Sequence, residues 1–129
     1  MKTHHTIALS MLAGTLLGAI SVGGLYAQVK TPGAYVVIDI SEIKDPDLFK
    51  TLIPKAGPSM APFGAYNVIR TEKIEPLEGT PPKRFVVIAF DSAAKAKEWD
   101  ASAATKEVTA IRQKSSTSRA FIVDGAVTN

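Results

Sequence analysis

The chain has 129 residues, room for one domain and not two. It holds no cysteine, which excludes disulfides and cysteine nucleophiles, and its net charge of +3 is spread among interleaved acids and bases. Without a clustered Lys/Arg stripe, nucleic acid is not an expected partner. In chain order, Lys2, His4 and His5 precede the uncharged apolar run "IALSMLAGTLLGAI" and the small-residue exit "SVGGLYA". That pattern predicts a secretory signal over residues 1–27, cut after Ala27, and an exported, periplasmic or secreted product. The alternative is an uncleaved membrane anchor, because Thr6 to Ala27 just spans a hydrocarbon core of roughly 30 Å.

Residues 28–33 read as a tether, 34–126 as the folded domain and 127–129 as a tail. "AYVVIDIS" is β-branched and apolar, a strand over 34–41. Asp45 can cap a helix with Pro46 in its first position, and Phe49, Leu52, Ile53 and Ala56 form its apolar stripe. Pro54 is expected to kink or break that helix, with Pro58 and Pro62 weakening any continuation. Gly64 opens a long strand, "AYNVIRTEKIEPL" over 65–77, and "EGTPPK" turns the chain into an antiparallel partner, "RFVVIAFD". Asp91 or Ser92 caps a helix carrying Ala93, Ala96 and Trp99, and Ser102 caps a second piece with Ala104, Val108 and Ile111. "SRAFIVDG" is the last strand, over 118–125.

Strand, helix, strand, strand, helix, strand is the order of a ferredoxin-like βαββαβ α+β fold with a four-stranded antiparallel sheet. Its helices cover one face. Yet the strands are apolar on both: Val86, Ile88 and Phe90 alternate with Phe85, Val87 and Ala89, and Val36, Ile38 and Ile40 with Tyr35 and Val37. Each large side chain buried is worth about 1.5–3 kcal/mol, so an uncovered apolar face predicts a homodimer packed sheet to sheet.

The segments "AYVVIDI…DPDLFK", "GAYNVIR", "LEG", "RFVVIAFDS…AKEW" and "IRQ…AFIVDG" resemble, in order, the bacterial domain of unknown function 1330 family. That family lies within the dimeric α/β-barrel superfamily. The resemblance spans Gly33 to Gly125 and implies the fold and a dimer; the family has no agreed activity. Related barrels include cofactor-independent monooxygenases, muconolactone-type isomerases and haem-degrading enzymes, so function does not travel with the fold. After the tryptophan the family has a tyrosine and a Ser-Pro-Glu-Tyr element, whereas this chain reads Asp100, Ala101 and Ser102-Ala103-Ala104-Thr105.

Both histidines precede the domain, which therefore lacks histidine and cysteine. This excludes Ser-His-Asp and Cys-His catalysis, the usual zinc sites, and haem held by either residue; no cofactor and no metal are expected. Met60 is expected in a proline-rich loop, where it would be poorly held as a metal ligand. Strand alternation puts Arg70 on one side with Tyr66 and Val68, and Asn67 opposite. Arg70 leads the ligand-binding candidates because a guanidinium grips a carboxylate at two points; otherwise it pairs with Glu78 or Asp39. Tyr66, Tyr35, Asp39, Trp99 and Arg112 complete the candidate set, each with a structural alternative: packing for the aromatics, pairing for Asp39, and an outward-reaching head for Arg112. Three functions remain open. The domain binds a small acidic or aromatic organic ligand between sheet and dimer interface, acts as a cofactor-free monooxygenase- or isomerase-like enzyme, or serves only as a dimerisation module.

Overall fold

The computed structural model describes residues 31–125; the predicted leader (1–27), most of the tether and the tail lie outside them. β1 (Ala34–Ile43) runs two residues beyond the predicted end. Asp45 then accepts the Leu48 N–H at 3.1 Å and starts α1 (Pro46–Lys50). A carboxylate there satisfies one of the donors that every helix start leaves unpaired. The expected break falls just ahead of Pro54. Thr51 closes α1, and α2 (Ile53–Met60) restarts with Pro54 in its first turn, where a missing N–H costs nothing. A 3-10 turn, Ala61–Phe63, follows, and Gly64 ends the helical run with φ +64°, the left-handed region that glycine enters without strain.

β2 (Tyr66–Thr71) is shorter than the predicted strand, and residues 72–83 form a loop. Pro76, Pro81 and Pro82 bring no N–H to a ladder, so pairing cannot continue through them. Lys83 N–H donates to the Ile40 carbonyl at 2.8 Å, and β3 (Arg84–Phe90) enters the sheet beside β1. Ser92, not Asp91, caps α3 (Ala93–Ala101), accepting the Lys95 N–H at 3.1 Å. Ser102 caps α4 (Ala103–Ser115) as the sequence indicates. β4 (Ser116–Asp124) follows α4 directly, two residues earlier than predicted.

The four strands form one antiparallel sheet in the order β2-β3-β1-β4. This is a ferredoxin-like α+β fold. The helices pack on the face that carries Val36, Ile38, Ile40, Val86, Ile88 and Phe90. Phe90 and Trp99 meet there with ring centroids 5.3 Å apart, beside Met60 and Ala96. A second cluster joins Ile40, Phe49 and Leu52 to Val108 and Ile111. Met60 is thus a core residue at the end of α2, not a loosely held loop side chain. Gly33 locks the strand ends together: its N–H donates to the Phe90 carbonyl and its carbonyl accepts from Gly125 N–H, both at 3.0 Å. A Cβ on Gly33 would lie 2.2 Å from the Asp91 carbonyl oxygen, so only glycine fits.

Candidate functional site: a hollow between sheet and helices

The helices do not fill the space above the sheet. They leave a hollow of about 600 Å³, a size that suits a small organic molecule. Its floor is β1 and β3 through Val36, Ile38, Val86 and Ile88, and its roof is α2 and α4. Trp99 closes one wall. Its indole N–H donates to Ser59 Oγ at 3.4 Å, so the ring offers an apolar surface and keeps its donor for the protein. Asn67, Arg70, Arg84, Asp100, Thr105 and Arg112 are the main polar groups of the lining.

The placement of Asn67 and Arg70 corrects simple strand alternation. The β2–β3 register shifts between Asn67 and Ile69, leaving Val68 without a partner as a β-bulge. Asn67 lies opposite Ile88 and Arg70 opposite Val86, and residues directly opposite in an antiparallel pair share a face. Asn67 and Arg70 therefore stand together on the helix side. Tyr66 lies opposite Ala89, on the other side from Arg70.

The candidate residues divide accordingly. Arg70, Trp99 and Arg112 line the hollow. Tyr35 and Tyr66 flank Ala89 on the face without helices, and Asp39 lies on that face beside Arg119, accepting its guanidinium at 2.7 Å. A single pocket between sheet and dimer interface holding all six is not what the fold builds, because the sheet itself separates them. The pairing alternative for Arg70 also changes, since Asp39 is taken by Arg119 across the sheet.

The three cavity arginines differ in what already holds them. Arg84 reaches Glu72 at 3.2 Å and lies over the Phe49 ring, 5.8 Å from its centroid. Arg112 is half-buried and donates to Ser118 Oγ at 2.7 Å. Burial pushes its pKa below the ordinary arginine value, and the nearby negative charge of Asp100 opposes that shift. Its head therefore does not reach out into water as the outward reading had it. Arg70 makes no hydrogen bond or ion pair among the described residues. The sequence reading does not single out Arg84 or Asp100. Alternation along β3 is the signal for Arg84, which shares a side with Val86 and Ile88.

The family model of the domain of unknown function DUF1330 matches residues 33–126. The chain belongs to that family. No curated protein matches it. Among solved structures, the RPA0582 protein of unknown function from Rhodopseudomonas palustris superposes with a TM-score of 0.58 at 14% identity, covering 84% of this chain and 93% of the other. SnoaB, a cofactor-independent oxygenase from Streptomyces nogalater, gives 0.51 at 16% identity, covering 74% and 94%. A putative antibiotic biosynthesis monooxygenase from Nitrosomonas europaea gives 0.51 at 14%, covering 73% and 99%. At such identities the likeness is one of fold.

Chemically, the hollow of this DUF1330 domain offers apolar walls, cationic and amide donors, and the carboxylate of Asp100. No group of three His, Cys, Asp or Glu side chains among the described residues is placed to hold a metal ion. The arrangement suits binding and orienting an organic molecule.

Proposed function

We propose that this DUF1330 domain is a binding module that takes a small, partly apolar organic molecule into the hollow between its sheet and helices. The observation that carries this reading is the hollow itself, apolar on its walls with polar groups set around it. Trp99, the single tryptophan of the chain, lines it and serves as the reporter. Titration with the neutral dye N-phenyl-1-naphthylamine should quench Trp99 emission saturably. Gly57→Phe should abolish the quenching, because Gly57 lines the hollow and a ring carried there takes up the dye's space. Equal quenching in both proteins would place the dye elsewhere, and no quenching at all would refute the reading.

The module works as an exported homodimer. Support for the dimer comes from the helix-free face, where Tyr66, Ile69, Phe121 and Val123 are each more than two-fifths exposed. A second copy packed face to face covers all of them at once. Sedimentation at micromolar concentration checks this, a lone monomer being the adverse result. Export rests on the basic, apolar and small-residue order of residues 1–27, and an intact Met1 in the mass of the cell-derived protein would refute cleavage.

A second reading, cofactor-independent catalysis in the same hollow, draws support from Asp100, the carboxylate among the polar groups of its lining. SnoaB, an oxygenase that needs no cofactor, shares the fold. This reading requires consumption of a bound substrate and its loss in Asp100→Asn, where the binding reading requires release of the ligand unchanged.

A further inference from the structure

We infer that the β-bulge at Val68 builds a carboxylate anchor, Asn67 with Arg70, at the hollow's edge, and that the ligand is a monocarboxylate with an apolar, ring-sized body. The inference rests on the reading of the hollow as a ligand site and adds the class of ligand.

In a regular strand, residues three apart point to opposite faces. The unpaired Val68 absorbs one residue, so Asn67 and Arg70 stand opposite Ile88 and Val86, which are two residues apart on one face. Two residues of strand span about 7 Å, within which both side chains reach a shared pair of oxygens. The guanidinium supplies a planar fork and the amide a further donor. Neither Asn67 nor Arg70 makes a side-chain hydrogen bond or ion pair among the described residues. Arg84 and Arg112 do, with Glu72 and Ser118. Arg112 also faces the charge of Asp100, so Arg70 is the cavity arginine whose guanidinium has neither a hydrogen bond nor an opposite charge among the described residues.

The rest of the lining selects the remainder of the molecule. Ile38, Val86 and Trp99 reward an apolar body, which a bare inorganic anion does not have. A second carboxylate would meet Asp100, whose negative charge already faces the positive charge of Arg112. One negative charge at one end of an apolar body satisfies every part of the wall.

Equilibrium dialysis of the purified protein at neutral pH, with 2-naphthoate and its neutral isostere 2-naphthamide, tests the anchor. The acid should bind about tenfold or more tighter than the amide, the yield of charge-assisted hydrogen bonds at a partly exposed site. Arg70→Ala should bring the acid down to within about twofold of the amide, and an unchanged circular dichroism spectrum shows that the fold holds. Asn67→Ala should narrow the preference by a few-fold. Arg70→Gln keeps a polar, though shorter, side chain without the charge, should lose the preference equally, and decides the matter if Arg70→Ala proves unstable. Equal binding of acid and amide by the unaltered protein, or a preference that survives loss of the guanidinium, overturns the anchor and leaves the hollow reading intact. If neither compound binds, the hollow reading falls and takes the anchor with it.

Discussion

The two faces of this sheet carry similar side chains and have different fates. On the helix side, Phe90, Ile40 and Ile88 are no more than 3% exposed. On the other side, Phe121 is 46% and Tyr66 53% exposed, although both strands are equally apolar there. Strand composition thus does not tell which face is covered; the crossovers do, because both helical layers return over the same side. The apolar surface of the open face is interrupted by the directly opposed Asp39–Arg119 pair. Such a pair fixes alignment more than it adds affinity, since an exposed ion pair is worth at most about 1 kcal/mol.

Three substitutions sharpen the contrast. The largest effect belongs to the helix face. Phe90→Ala removes a fully buried ring that packs on Trp99, and should cost about 3–5 kcal/mol in urea unfolding followed by circular dichroism. A loss below about 1 kcal/mol would mean that the ring is not part of a tight core. Next comes the open face. Phe121→Arg should leave the monomer fold unharmed yet weaken the proposed dimer by about 2–3 kcal/mol, two half-buried rings being lost per twofold pair. Light scattering across a dilution series reads this, and an unchanged dimer would move the interface elsewhere. The smallest effect lies in the roof of the hollow. Gly57→Ala should shift the same urea transition by less than about 0.5 kcal/mol, because the entropy gained over glycine inside α2 is opposed by crowding of the new Cβ against the ring of Pro58, the next residue.

Much of the fold is legible in the order of residues alone. Caps at Asp45 and Ser102, the strand alternation of β1 and β3, and the stops at Gly64 and Gly125 are local signals with local causes. Where local signals mislead, they mislead on pairing. Residues 72–77 look like strand, but β3 has only Arg84 left to offer them once Phe85 pairs with Thr71. The bulge at Val68 carries no glycine or proline to announce it, so alternation parts Asn67 from Arg70 where the sheet brings them together. Arg70, Arg112 and Trp99 stand out in the sequence because they are unusual residue types on apolar elements. That Tyr35, Tyr66 and Asp39 belong to a different surface has no such signal, since a face has no identity until helices lie on it.

By itself the chain of residues determined its element order, its α+β class, its helix starts, and the exclusion of histidine and cysteine chemistry from residues 28–129. Only the tertiary structure decided which apolar face is roofed, where the roof stands clear of the floor, and which arginine is left without a partner among the described residues. The first set depends on neighbours along the chain, through capping, proline geometry and alternation. The second depends on strand register and helix packing, where one unpaired residue turns a side chain from one face of the sheet to the other.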